Sequence, residues 1–563
     1  MTILTGGQAA IKSLEVENVK HVFGLIGSAT MEMFDALYDS KEIKFIGVHD
    51  ERSGVHMADG YARSSGKPGI FLAGQNGPGA TNLTTGLAQS MAAYSPVISI
   101  AGSLSTEHIY RDAFQEVDQQ SLFKPITKKT WTITQTERIP EIFREAFRVS
   151  MSPRQGPVQI NIPRDILAKE TNFANFQEPE NYRLNILPVA SSKTIEKASK
   201  MIISSKNPVI IIGGGIKNSE GHSEILNLAE KLNIPIIMSP GHGDAISFSH
   251  PLNAGQMGPR GNIVASRLAK EADLILALGT RLGFNSTFYS YDNINVNASI
   301  IQVELEPTAL GRYFPISLGI WGDAKQVSNQ ICDFVDKVRF TSEVNNWTKN
   351  FQDERKEYLI NRDLKADMQI KPIQPSGLFK KLREIIPEDA IITMDAGTLC
   401  LQATDSLNYF KPKSLFTPLD FGLVGFSYSC GLGVKIANPT RPVISLMGDG
   451  GFGMTLSEIS TAVSHSINTV TLVLNNKCWG AEKAYQRDFF GERYIGADIN
   501  SPPFDKIAEL YGAKGYRVEN INEIQSAIED ALKADKPAVI DIMVDPDALY
   551  SFRRDSFAHK IKK

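Results

Sequence analysis

Hydrophobic residues along the chain gather into short, nearly continuous runs separated by stretches with helical spacing. Gly7 to Asn18 has apolar residues at helical intervals, His21 to Ile26 is a compact apolar run, Thr30 to Ser40 is helical again, and Lys44 to Val48 is a second run. This alternation predicts strands joined by helical crossovers, and so a mostly parallel sheet covered on both faces. The unit closes after Gly156 to Pro163, an apolar strand pattern stopped by proline.

The same rhythm recurs twice. Thr194 to Ser204 reads as a helix, and Pro208 to Ile212 is a strand running into Gly213-Gly214-Gly215; Leu274 to Leu278 and Ser299 to Leu305 are further strands. A third set follows at Ala390 to Met394, Val443 to Met447 and Thr469 to Asn475. Two polar stretches without periodicity, Glu170 to about Ser191 and Phe340 to Gln374, are expected to be linkers. The fold class expected is therefore α/β, with three doubly wound parallel-sheet domains at residues 1–170, 190–337 and 372–550.

Composition agrees with that division. A chain of 563 residues with 42% hydrophobic and 21% charged residues is long enough for three or four cores at about 150 residues each. The net charge is −3 and the basic residues are scattered, which argues against a nucleic-acid partner. The four cysteines are far apart and form no CxxC pair, so no disulfide framework or zinc site is expected. No charged leader precedes an apolar run, and no window holds about 18 uninterrupted apolar residues. No membrane span and a cytoplasmic location are expected.

Chemistry is most legible at Val443 to Phe452. An apolar strand there delivers Asp449 between Gly448 and Gly450, with Gly451 next, and the strand after it ends in Asn475-Asn476. Open α/β sheets place ligands at the C-terminal ends of strands. One crossover separates Asp449 from Asn476, so both side-chain oxygens can reach one hard cation. The glycines let backbone amides approach a diphosphate, and a helix expected to start near Met454 would point its positive end at that anion. Turns alone would explain either motif singly; their pairing favours the ligand site.

This pairing resembles the diphosphate-binding motif of thiamine diphosphate enzymes. On that resemblance Asp449 and Asn476 ligate magnesium through their side chains and Cys478 through its main-chain carbonyl, with Gly448, Gly450 and Gly451 beside the diphosphate. The resemblance also demands a glutamate after an early strand, and Phe45 to Glu51 supplies Glu51. That carboxyl would hydrogen-bond the aminopyrimidine ring of the cofactor and favour the tautomer that activates it. In the acetolactate synthase-like branch, the Gly77-Pro78-Gly79-Ala80-Thr81-Asn82 loop lies near the cofactor, and Phe114 and Gln115 lie over the active site. Read from residues alone, that loop is a tight turn before a helix with Thr81 or Asn82 near its cap. Gly422-Leu423-Val424-Gly425 matches the loop whose bulky residue wedges the cofactor into its bent form. Val424 stands where the synthases usually have Met.

Within the branch, four stretches look more like the sulfoacetaldehyde acetyltransferases: Gly27-Ser28-Ala29, Gln75-Asn76-Gly77-Pro78-Gly79, Trp479 to Lys483 with Gln486, Asp488 and Arg493, and Phe552-Arg553-Arg554-Asp555. Gly322-Asp323-Ala324-Lys325 supports them. The implied reaction converts sulfoacetaldehyde and phosphate to acetyl phosphate and sulfite. Two anions need cationic donors, and Lys483, Arg493, Arg553 and Arg554 are the candidates. The alternative is an acetolactate synthase or related pyruvate-consuming enzyme. Many synthases hold FAD on a Met-His-Gly-like segment, where this chain has Gly258-Pro259-Arg260-Gly261, which argues against a flavin. A non-catalytic scaffold subunit would be expected to lack Glu51 or a metal ligand, and this chain has them all. In this family Glu51 and the metal ligands come from different subunits, so a homodimer at minimum, and a homotetramer by extension, is expected.

Overall fold

A computed structural model describes residues 2–173, 176–183, 187–258, 261–337 and 345–560. The apolar runs are strands and the periodic stretches are helices. The first sheet holds His21–Leu25, Lys44–Gly47, Gly69–Ala73, Val97–Ser103, Thr130–Thr132 and Val158–Pro163. Counted along the chain, these strands lie in the order 2-1-3-4-6-5, all parallel. The third sheet, from Ile391–Met394, Leu415–Phe416, Val443–Gly448, Val470–Asn475, Lys514–Val518 and Ala538–Met543, repeats that order. The central sheet runs from Pro208–Ile212 to Leu318–Trp321 in the order 3-2-1-4-5-6. Its inner strands Pro208–Ile212 and Leu274–Leu278 are buried along their whole length, as parallel strands between two helical layers are.

Both stretches expected to be linkers contain regular structure. Glu170–Phe173 pairs antiparallel with Thr2–Thr5 and buries Phe173. Asn345–Leu364 is a long helix. Its polar composition hid it, because only Trp347, Phe351 and Tyr358 pack against the central core. Polar contacts supply the rest: Trp347 Nε1 donates to Pro208 O at 3.1 Å and Arg355 to Phe248 O at 2.6 Å. Residues 340–344 of that stretch lie outside the described residues.

The first and third domains of the chain meet along two helices, Glu51–Ser65 and Ser427–Ala437. Small residues let their backbones approach closely. A Cβ on Gly60 would fall 2.2 Å from Cys430 O, and one on Gly433 only 1.9 Å from Met57 O. Around this seam one apolar cluster draws Phe23, Tyr61 and Leu83 from the first domain and Tyr428, Phe452 and Phe504 from the third. Gly433→Ala is therefore expected to destabilise the chain by about 1–3 kcal/mol through overpacking against backbone that cannot give way. A denaturation midpoint equal to that of the unsubstituted protein would contradict this packing.

Candidate active site

At the C-terminal edge of the third sheet lies a cavity of about 530 Å³ whose lining includes Gly448, Asp449, Gly450, Gly451, Asn476 and Cys478. The helix expected near Met454 begins earlier, at Asp449, and is the short segment Asp449–Gly453. Gly448 is its extended N-cap, so the strand passes directly into the helix and turns its first amides to the cavity. Packing requires the following glycines as well. A Cβ on Gly450 would meet the Trp479 ring at 2.6 Å, and one on Gly451 would fall 2.3 Å from Asp395 Oδ2 and 3.2 Å from Val424 Cγ1.

Asp449 is 2% exposed. Burial raises its carboxyl above the ordinary range, opposed by the Ser501 hydroxyl and nearby backbone N–H groups. Among the described residues no lysine or arginine pairs with it. A buried carboxylate without a counter-charge is costly, and a cation in the cavity would remove that cost. The donor chemistry suits magnesium: a carboxylate, the Asn476 side chain and the Cys478 carbonyl offer hard oxygens. Burial pushes the Cys478 thiol up to about 11, so the main-chain carbonyl rather than the thiol is the donor expected there. Trp479 N–H donates to Ala497 O at 2.7 Å and Ile499 N–H to Lys477 O at 3.0 Å, which fixes the Asn476–Trp479 loop.

Gly422 and Val424 form the facing wall. Gly422 has φ +76°, a left-handed conformation that favours glycine. The loop is held by Asp395, which sequence reasoning missed. Asp395 accepts N–H groups from Gly425 and Phe426 at 2.9 Å and from Ser427 at 3.4 Å. Burial lifts its carboxyl to about 6 despite those bonds. The signal for it was present, since Thr393-Met394-Asp395-Ala396-Gly397 also ends an apolar strand in an aspartate followed by glycine.

The central domain closes the cavity with Arg281, Phe284, Tyr289 and Tyr313, none of which the sequence reading singled out. Arg281 lies 3.6 Å from Asp420, and Arg553 stacks on Phe284 with its guanidinium 4.9 Å from the ring centre. Of the four basic candidates, Arg553 alone is among the lining residues. Lys483 is paired with Asp498 at 2.6 Å, Arg493 is exposed and donates to Phe490 O, and Arg554 stands outside the lining. A neighbouring cavity of about 210 Å³ sits where the central strand order reverses, lined by Gly213, Gly214, Gly215, Gly279 and Arg281. Pro259 and Arg260, in the segment read against a flavin, lie outside the described residues.

Glu51 is not in the 530 Å³ cavity. It is the first residue of its helix, and the cap is Asp50, whose side chain accepts Ser53 N–H at 3.0 Å. That leaves the Glu51 carboxylate, on a residue 7% exposed, free of capping duty. Asn82 Nδ2 donates to Glu51 Oε2 at 3.0 Å. Asn82 ends the short helix Pro78–Thr81 and stands just before Thr84–Ala92, whose N-cap is Leu83, so Thr81 and Asn82 lie near that cap without being it. Asn76 Nδ2 donates to Gln115 O at 3.0 Å, which ties the Gln115 loop to the same place, while Phe114 is 85% exposed. The predicted residues thus divide into two groups: Glu51, Pro78, Asn82 and Gln115 on the first domain, and Gly422, Val424, Asp449, Asn476 and Cys478 on the third.

Comparison with known proteins bears on both groups. Residues 4–122 match the N-terminal TPP binding domain of thiamine pyrophosphate enzymes, residues 195–331 the central domain, and residues 395–542 the C-terminal TPP binding domain. A probable acetolactate synthase large subunit of Methanococcus aeolicus is 34% identical over 97% of this chain and 93% of its own. A sulfoacetaldehyde acetyltransferase of Castellaniella defragrans is 32% identical over 99% and 96%. Acetolactate synthase isozyme 3 large subunit of Escherichia coli is 30% identical over 97% and 96%. With all three domain types in order and relatives matched over nearly their whole length, the chain belongs to the acetolactate synthase-like thiamine pyrophosphate enzymes.

Proposed function

We propose that the protein converts sulfoacetaldehyde and phosphate to acetyl phosphate and sulfite, using thiamine diphosphate and magnesium. The observation that carries this reading is Arg553: it belongs to the Phe552–Asp555 segment that resembles the acetyltransferases, and it lines the same cavity as Asp449 and Asn476. The relatives named sulfoacetaldehyde acetyltransferase support it. A pyruvate-consuming acetolactate synthase is the second reading, favoured by the 34% identical relatives of that name.

Bound thiamine diphosphate supplies a carbon nucleophile for a carbonyl substrate, in either reading. Asp449, Asn476 and the Cys478 carbonyl would hold magnesium against its diphosphate, and the first amides of Asp449–Gly453 would face the phosphate oxygens. Val424 would press on the cofactor from the facing wall. Glu51 would exchange a proton with the aminopyrimidine, with Asn82 fixing one carboxylate oxygen. Arg281 offers a planar two-donor fork to sulfonate or phosphate, and Arg553, whose Nε and Nη2 donate to Asp555 at 3.0–3.2 Å, would present its remaining donors.

A complete site on this reading needs two chains. The cavity takes lining residues from the central and third domains, and Glu51 is held elsewhere on its own chain. A homodimer is the proposed minimum and a homotetramer an extension of it. A cytoplasmic location is part of this proposal; among the described residues no helix is long and apolar enough to cross a membrane.

Purified protein given both cofactors is expected to release sulfite and form acetyl phosphate from sulfoacetaldehyde and phosphate. Acetolactate from pyruvate without sulfite release would establish the second reading instead. Arg553→Ala should raise the half-saturating concentration of phosphate or sulfoacetaldehyde about ten- to a hundredfold, the value of a lost charge-assisted hydrogen bond of about 1.5–3 kcal/mol. Superimposable saturation curves would remove Arg553 from the substrate site. Glu51→Gln is expected to bind cofactor and lose most turnover, and Asp449→Ala to lose magnesium-dependent cofactor binding in a titration. Mixed and allowed to exchange subunits, these two inactive variants should regain activity, because one hybrid site is intact. Inactivity despite demonstrated exchange would place each site within one chain.

A further inference from the structure

The turn that carries Glu51 is gripped by the third domain of its own chain. His49 N–H donates to the two carboxylate oxygens of Glu458 at 3.2 and 3.4 Å. The Thr461 hydroxyl lies 2.7 Å from Glu458 Oε2 and 3.1 Å from His49 Nδ1. His465 Nε2 accepts Gly47 N–H at 3.1 Å, and Arg52 donates to Met454 O at 3.1 Å. Glu458, Thr461 and His465 all belong to the helix Glu458–Ser464 or its C-cap, the next helix after the Asp449–Gly453 segment.

Glu458 is 0% exposed, and among the described residues no lysine or arginine pairs with it. Burying a carboxylate is costly unless hydrogen bonds repay the lost water. A residue whose only role was to fill space at this seam would be apolar. Here the carboxylate accepts from the residue two positions before Glu51, while Asp50 fixes the next helical turn through Ser53 and Asn82 holds the Glu51 carboxylate. The turn is therefore constrained on both sides of Glu51, and Glu458 is its deepest anchor.

We propose that Glu458 is a positioning residue for Glu51, acting across the domain seam of one chain to set the angle from which the Glu51 carboxylate meets the aminopyrimidine. The inference rests on the assignment of Glu51 to that ring. Through Glu458 the turn is tied to the helix that follows the Asp449–Gly453 segment of the same chain.

The test is the rate at which the C2 proton of bound thiamine diphosphate exchanges with deuterium. It is read by nuclear magnetic resonance in the magnesium-loaded protein without substrate, beside cofactor affinity and thermal midpoint. Glu458→Ala is expected to slow exchange by about tenfold or more while cofactor affinity stays within about twofold, because the buried acceptor of His49 N–H is lost while the residues lining the cavity are untouched. Glu458→Gln keeps an acceptor for His49 N–H and should recover exchange to within about threefold of the unsubstituted protein. Normal exchange in Glu458→Ala beside slow exchange in Glu51→Gln would overturn this inference alone; normal exchange in Glu51→Gln would overturn it together with the assignment beneath it. Should Glu458→Ala fail to fold, Thr461→Val removes only the hydroxyl between Glu458 and His49 and is expected to slow exchange by about threefold. Unchanged exchange there would also overturn the proposal.

Discussion

The close approach of Glu51–Ser65 to Ser427–Ala437 is the constraint on which the rest of the structure depends. At Gly60 and Gly433 no side chain fits between the two backbones, so the first and third domains of one chain meet at a fixed distance. That contact sets where Glu51 stands: at the N-terminal end of one of the two helices, gripped by the third domain and apart from the cavity that holds Asp449. A helix pair with ordinary side chains at those positions would sit farther apart and lose the hydrogen bonds that the turn donates to Glu458 and His465.

Three carboxylates organise the functional face, and none has a cationic partner among the described residues. Asp395 accepts the amides of the Val424 loop, Glu458 accepts His49 N–H, and Asp449 accepts the Ser501 hydroxyl while facing open cavity. Burial raises all three above the ordinary carboxylate range, to about 6 for Asp395 and about 7 for Glu458. Asp395 and Glu458 are satisfied by protein donors and so act on loop geometry. Asp449 faces the cavity, which is where an incoming cation can satisfy it.

The central domain contributes differently. Its strand order places the Gly213–Gly215 and Gly279 loops at a reversal point, where open sheets leave a crevice. Arg281, just after the second of these loops, lines both that crevice and the larger cavity. One guanidinium thus borders two pockets and links the central domain to the larger cavity.

The sequence by itself determined the three parallel sheets, because buried strands must be continuous apolar runs and crossovers must be periodic. It also singled out the Gly448–Gly451 loop and Asn476, which the structure brings to one cavity, because an aspartate between glycines at a strand end and an asparagine one crossover later form a restricted local pattern. It did not reveal the helix Asn345–Leu364, whose stability comes from Trp347, Phe351 and polar contacts to distant backbone rather than from a broad apolar stripe. Nor could it rank Lys483, Arg493, Arg553 and Arg554. Tertiary structure gave Lys483 to Asp498 and set Arg553 on Phe284 in the cavity, beside an Arg281 that arrives from another domain. Local pattern fixes backbone geometry and the residue types a motif requires. Which charged side chains reach the cavity is decided by the fold: Lys483 meets Asp498 only 15 positions on, whereas Arg553 meets Phe284 from another domain, and the local sequence does not distinguish the two cases.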